Sequence, residues 1–376
     1  MSQQAVRETP GTGSHEKLVL IAAGGTGGHL FPAMSVADAI RKAMSGVRIQ
    51  FVGTGRDVER HIIEKAGYGL IELRVRPLKG KSIIYKCGAL AALRPAIVHS
   101  IRLIRRLRPA LVIGGGGYVS GPFVLAAALT TPTLIMEVNL RPGLTTRWLA
   151  PFVECVACSF KESVGLFGKK GIYVGHPVRP DFFGVAHEEH DPLAVLVFGG
   201  SQGSSVLNQA IVDALPKLVG RITMIHQTGS RDFEGVRSAH EASRSGAAVS
   251  IFIDGMANAF SCADIIVCRA GASTIAEIAA AGKPSILVPF GAAADNHQEI
   301  NARAMERAGA AAVVTESELV SGKLVDCILE LAASPEKRLA MSRAAHDMAN
   351  PRSSSDVAAI AVELMGREDR TEVGRV

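Results

Sequence analysis

The residues best suited to chemistry lie in short glycine-rich runs. The loop Gly24-Gly25-Thr26-Gly27-Gly28-His29 directly follows an apolar stretch, Leu18 to Ala23. Glycine lets backbone N–H groups approach an anion closely, and a helix start behind the loop adds roughly half a positive charge. That combination suits a phosphate or pyrophosphate. His29 supplies an imidazole that titrates near neutrality, either as a base or as a group that fixes the loop or a pyrophosphate. The run is no nicotinamide fingerprint, because Leu30 stands at the third glycine position and the second strand ends at Val52-Gly53 with no ribose-binding acid. It is no Walker loop either, since no Gly-Lys-Ser/Thr follows.

A second loop, Gly199-Gly200-Ser201-Gln202-Gly203, follows another apolar strand. Two anion sites imply two phosphate-bearing substrates. A third run, Cys268-Arg269-Ala270-Gly271-Ala272-Ser273-Thr274-Ile275-Ala276-Glu277, joins a strand to a helix stopped by Gly282 and Pro284. Its helix start can meet a phosphate and Glu277 a ribose diol, although Thr274-x-x-Glu277 also has the spacing of a capping box. In Asp295-Asn296-His297-Gln298-Glu299-Ile300-Asn301, the amides of Gln298 and Asn301 can read sugar hydroxyls, and Asp295-x-x-Gln298 again mimics a cap.

These loops need a frame. Strands are expected at Leu18–Ala23, Ile49–Val52, Leu111–Ile113, Thr133–Glu137 and Glu154–Ala157, with a helix from about Pro32 to Met44. The pattern restarts with Leu193–Phe198, Thr223–Gln227, Val249–Phe252, Ile265–Cys268, Ser285–Pro289 and Ala311–Val314. The reading is α/β: two Rossmann-like, doubly wound parallel-sheet domains whose carboxyl strand ends face across a cleft. Residues 1–16 are expected to be a disordered tail, 17–175 the first domain, 176–191 a linker, 192–350 the second domain, and 351–376 a helix ending in a frayed tail. Apolar residues make up 48% of the 376 and charged ones 20%, which excludes disorder as the main state. No signal peptide or transmembrane run is seen, and six cysteines form no disulfide framework, so the expected compartment is the cytoplasm.

The net charge of +6 is unevenly spread. No acid lies between Glu72 and Glu137, whereas ten cations run from Arg74 to Arg108. An anionic partner is implied. Lys79–Leu93, where cations mix with Ile83, Ile84, Tyr85 and Leu90, suits an anionic membrane surface. No aromatic platform accompanies the charges, which argues against nucleic acid. Cys155-x-x-Cys158 lacks a second ligand pair, His187 and His190 of the connector read as solvated, and Cys262 and Cys268 read as core.

Six motifs, in order, resemble the MurG-type glycosyltransferases of family 28, which have the GT-B fold. They are the loop at 24–29, Gly116-Gly117-Tyr118-Val119-Ser120-Gly121-Pro122, Gly175-His176-Pro177-Val178-Arg179, the loop at 199–203, Phe252-Ile253-Asp254-Gly255-Met256, and the stretch from Cys268 to Pro284. The resemblance spans roughly residues 17 to 350. It implies inverting transfer of N-acetylglucosamine from UDP-GlcNAc to the C4 hydroxyl of a lipid-linked muramoyl pentapeptide pyrophosphate, in peptidoglycan synthesis. It implies a peripheral protein on the cytoplasmic face of the inner membrane, with other cell-wall synthesis proteins as possible partners.

For the donor it implies Ile253 at the uracil, Ala272, Ser273, Thr274 and Ser201 at the diphosphate, and Arg179 beside them. It further implies Glu277 at the ribose, Gln298 at the sugar, and Thr26, Gly27, Gly28 and Asn139 on the donor-sugar side. His29, Tyr118 and Asn139 fall to the acceptor, and His29 and Glu277 to catalysis. Two departures stand out: Met136-Glu137-Val138-Asn139 replaces the usual His-Glu-Gln-Asn, and His297 stands where a Gln is common. No Asp-x-Asp pair is present, so no metal or cofactor is expected, and helix dipoles, loop amides and Arg179 or Arg269 are left to neutralise the leaving diphosphate. Two other readings remain: a different UDP-sugar enzyme such as a 2-epimerase, and a non-catalytic sugar-nucleotide-binding subunit at the membrane.

Overall fold

The computed structural model describes residues 16–24, 27–73, 75, 83–291, 293 and 296–373, with the side chains of 58, 83–93 and 368–373 left aside. Seven strands make the first sheet: β1 (Lys17–Ala23), β2 (Val47–Gly53), β3 (Gly69–Glu72), β4 (Leu111–Gly116), β5 (Thr133–Glu137), β6 (Cys155–Cys158) and β7 (Gly171–Tyr173). Six make the second: β8 (Ala194–Phe198), β9 (Thr223–Gln227), β10 (Ala248–Ser250), β11 (Ile265–Cys268), β12 (Ser285–Leu287) and β13 (Ala312–Val313). Their orders are β3-β2-β1-β4-β5-β6-β7 and β10-β9-β8-β11-β12-β13. Each therefore reverses direction beside its first strand, and that reversal opens a crevice at the carboxyl ends. The central strands are buried on both faces because helices cover both. Val19 and Ile21 of β1 join one core layer, and Leu18 and Leu20 the other.

The short edge strands β3 and β7 escape sequence reading, because GLIE and GIY carry no sustained apolar run. The first helix, Gly27–Ala43, starts five residues before the expected Pro32. The glycine loop is correspondingly shorter, and His29 lies in the first helical turn.

The chain crosses between lobes twice. It leaves the first lobe through 174–178 and returns through 347–353 into the helix Ser353–Val373. There Val357, Ala358, Ala361, Leu364 and Met365 pack into the first lobe's core with Leu30, Val36 and Ile40. Full burial of each Val, Leu or Met side chain is worth about 1.5–3 kcal/mol, enough to hold the helix on the far lobe. The expected C-terminal helix spans Ser353–Val373, and its buried stripe ends at Met365. The crossings are tied where they pass, as Asn350 Nδ2 donates to the Val174 carbonyl (2.7 Å) and Ser353 Oγ to that of His176 (2.7 Å). The connector is exposed over 186–189 and also fastened, because His190 Nδ1 meets Asp264 (3.2 Å) and Lys283 Nζ donates to the Ala186 carbonyl (2.9 Å).

Candidate functional site

The first lobe's site is built from backbone. A register shift between Ala22 and Ala23 sets Ala23 opposite Gly116, and Gly116 and Gly117 take φ values of +101° and +83°. A Cβ on Gly116 would lie 2.3 Å from His29 Nδ1, and one on Gly117 would lie 2.2 Å from the Gly24 carbonyl. Only glycine leaves room for the imidazole and the neighbouring loop together. The hydroxyl of Ser120 fixes the turn by accepting the Gly116 N–H (3.0 Å).

His29 is half-buried, and its Nδ1 is enclosed without a hydrogen-bond partner. Burial pulls its pKa below the ordinary value; the Gly115 backbone opposes this, and His297 adds to it. His176, unflagged as a functional group by sequence, is lowered to about 3 by burial and then by His29. Its Nδ1 stands 3.2 Å from Ser159 Oγ. Both imidazoles are thus neutral near pH 7.

The second lobe presents the helix Ala272–Ala281. Its N-cap is Gly271, so Thr274 and Glu277 lie in the first and second turns and no capping box forms. Glu277 is 12% exposed, and burial lifts its carboxyl to about 7 although Arg179, 3.4 Å away, pulls it down. The Arg179 guanidinium sits 4.9 Å from the ring centre of Phe31 in the first lobe and 4.8 Å from that of Phe182. Ser273 Oγ donates across the crevice to the Gly28 carbonyl (2.8 Å).

Deeper in the crevice, the loop after β5 is held by Glu137, a residue that sequence reading assigned no role. Its carboxylate accepts N–H groups of Asn139 (3.0 Å) and Gly143 (3.1 Å), and burial raises its pKa despite them. Asn301, expected at a sugar, is buried and committed elsewhere: it accepts from the Leu140 N–H (3.2 Å), and its Nδ2 reaches Asn139 Oδ1 (3.4 Å). Gln298 Oε1 accepts the Phe290 N–H (3.0 Å), and Ile253 N–H donates to Gln227 Oε1 (3.2 Å). Tyr118 is half-buried beside the glycine turn, and Ser201 is exposed in its own loop. Ala272, Gly27 and Gly28 border the crevice at the two helix starts. Thr26, Asp295 and Lys79–Lys81 lie outside the described residues.

Two further readings are corrected. Arg269 is not available to a leaving diphosphate: Nε donates to Ser204 Oγ (2.9 Å), Nη1 to the Pro289 carbonyl (3.1 Å), and Nη2 pairs with Glu316 (2.6 Å). Cys262 is exposed, whereas Cys268 is buried. Among the described residues no group of three or more His, Cys, Asp or Glu is arranged to hold a metal, and no helix is long and apolar enough to cross a membrane.

Two neutral imidazoles beside a glycine shelf thus stand near a helix whose second-turn carboxylate, Glu277, pairs with the Arg179 guanidinium from the segment before Pro180. Residues 19–158 match the glycosyltransferase family 28 N-terminal domain and residues 194–358 the family's C-terminal domain. The chain belongs to glycosyltransferase family 28. A relative from Myxococcus xanthus (strain DK1622) is 41% identical over 92% of this chain and 93% of its own length. One from Syntrophus aciditrophicus (strain SB) is 41% identical over 90% of this chain and 96% of its own. Both are named UDP-N-acetylglucosamine--N-acetylmuramyl-(pentapeptide) pyrophosphoryl-undecaprenol N-acetylglucosamine transferase. The crystal structure of Acinetobacter baumannii MurG covers 92% of this chain and 99% of its own, with a TM-score of 0.71 and 27% identity.

Proposed function

We propose that the protein transfers N-acetylglucosamine from UDP-GlcNAc to the C4 hydroxyl of a lipid-linked muramoyl pentapeptide pyrophosphate, with inversion; the donor and the acceptor are those that the names of its relatives give for them. The observation that carries this reading is the convergence, across one crevice, of His29 behind the Gly116 shelf with the start of the helix Ala272–Ala281, Glu277 and Arg179.

Each group has a task suited to its surroundings. His29, held neutral by burial, accepts the C4 proton as the new bond forms. The C1–O bond to the diphosphate breaks on the opposite face, and UDP leaves with the bonding pair. The helix start with its N–H groups, aided by the Arg179 cation, stabilises that developing charge. Glu277 accepts hydrogen bonds from the ribose diol. Gln298 and Asn139 border the sugar, Ile253 the uracil, and Ser201 the diphosphate. Tyr118, with Gly27 and Gly28, lines the sugar and acceptor side.

A lipid-linked acceptor requires a membrane surface, and one face of the first lobe suits it. Trp148 is 68% and Leu166 67% exposed, with Leu144 and Phe152 also outward. Leu166 lines a depression of about 770 Å³ bordered by Arg141, Arg147, Lys169 and Lys170, and Trp148 and Phe152 adjoin lining residues in the chain. Apolar anchors ringed by cations suit the cytoplasmic, anionic leaflet, where each cation near the surface is worth about 1 kcal/mol. Binding to vesicles that ignores both anionic lipid content and salt would overturn this part.

Transfer of radiolabelled N-acetylglucosamine from UDP-GlcNAc to a short-chain muramoyl lipid analogue, with and without chelator, tests the activity. Product of inverted configuration in both samples supports the reading. Absence of product from the wild-type protein, or turnover of UDP-GlcNAc that needs no acceptor, sinks it.

A further inference from the structure

The Gly28 carbonyl has an unusual history in the chain. Gly28 is the second residue of the helix Gly27–Ala43, so its carbonyl belongs to the N–H four residues on. That residue is Pro32, which has no N–H. The helix therefore leaves this carbonyl over, and a hydroxyl from 245 residues away takes it: Ser273 Oγ donates at 2.8 Å. Ser273 is itself buried, at 8% exposure. His29 is the next residue after Gly28, and Ala272 and Thr274 flank Ser273. One hydrogen bond thus joins the turn that carries the base to the turn that receives the diphosphate.

We propose that Ser273 is a positioning residue whose hydroxyl, captured by a carbonyl that Pro32 frees, latches the leaving-group side of the crevice to the base side. The latch rests on the transfer reading above. Its action is on geometry: it sets the separation of His29 from the helix start and leaves the backbone N–H groups of Ala272 to Thr274 to the ligand. A second cross-lobe contact, Asn301 with Leu140 and Asn139, holds the adjoining part of the crevice, so losing Ser273 alone loosens the lobes without separating them.

Three variants separate a latch from simple packing. Ser273→Ala removes the donor and leaves the Gly28 carbonyl unmet. Transfer at saturating UDP-GlcNAc falls about tenfold, the UDP dissociation constant stays within about twofold, and Tm drops. Ser273→Thr, which keeps the hydroxyl, recovers most of the rate. Adding Pro32→Ala to Ser273→Ala gives the Gly28 carbonyl its own helical donor, so Tm recovers while transfer stays slow. A role in stability alone would make rate follow Tm, and that result overturns the proposal, as does a Ser273→Ala rate within twofold of wild type. Fluorescent labels on the two lobes read the latch without any acceptor. In UDP-bound protein, Ser273→Ala broadens the distance distribution, and an unchanged distribution also counts against the latch. Should the wild type fail to transfer while this broadening is seen, the transfer reading falls and the contact stands.

Discussion

The two glycine loops occupy the same place in the two lobes, after β1 and after β8, yet they are wired for opposite purposes. The second loop closes on itself. Gly203 N–H donates to the Gly200 carbonyl (2.9 Å), and Ser204 caps the following helix by accepting the Leu207 N–H (3.3 Å). Ser204 also accepts from Arg269, whose remaining donors go to carbonyls and to Glu316. The first loop runs straight into a helix at Gly27, with no acid in its first turn, an imidazole facing the glycine shelf and a carbonyl left over by Pro32. A glycine loop becomes a reactive site when its neighbours leave polar groups to be completed from outside. Where a cap and a buried arginine complete them, it is mainly a fold element.

The contrast can be broken most forcefully at His29, the group that the second loop lacks. His29→Ala should lower transfer by about 10²–10⁴-fold while UDP binding, measured by calorimetry, stays within a few-fold. Near-normal turnover would remove the base role. Next in size is a glycine pair. Gly116→Ala adds a Cβ 2.3 Å from His29 Nδ1 at a φ of +101°, whereas Gly200→Ala adds one into open space at a φ of +85°. The second should cost only about 1 kcal/mol in urea unfolding, the price of a left-handed alanine. The first should cost more and also lose most transfer. Equal effects would deny the shelf its special fit to the imidazole.

A pH series sharpens the role of the second lobe's carboxylate. Glu277 is lifted to about 7 by burial, so it is ionised above that pH and takes a proton below it. The donor KM should therefore rise as pH falls through about 7, because a protonated carboxyl accepts fewer hydrogen bonds from a diol. Glu277→Gln should raise KM about tenfold at pH 8 and flatten the profile; an unflattened profile would assign the titration to another group. The same shift makes Glu277 a group protonated more readily folded than unfolded, so its contribution favours folding below pH 4.5 and is lost as pH rises to about 7. The smallest expected effect on turnover is that of Ser204→Ala. It should lower stability by about 1–2 kcal/mol through the lost cap and arginine partner, with kcat and donor KM within about twofold. A large rise in KM would extend the binding role of Ser201 to the cap itself.

Much of the fold was legible in the chain because parallel strands buried on both faces read as short apolar runs, as at Leu18–Ala23 and Ile265–Cys268. β3 and β7 were not, since edge strands need no such run. Glycine at 24–29 announced close backbone approach, and the family motifs brought Gly116, Gly117, Glu277 and Arg179 into view. Sequence could not decide between a capping box and a buried carboxylate at Glu277, because both use the same spacing; the position of Gly271 as N-cap decided it. Nor could it assign Arg269, Asn301 and Ser273. A guanidinium, an amide or a hydroxyl can meet a ligand or a neighbouring polar group equally well, and the choice depends on which partner lies within hydrogen-bond distance after folding. The amino-acid order by itself determined where backbone could approach an anion. Only the tertiary structure decided which polar groups were satisfied inside the protein and which were left for a substrate, because hydrogen bonds fall away within fractions of an ångström and partners 161 to 245 residues apart meet only after folding.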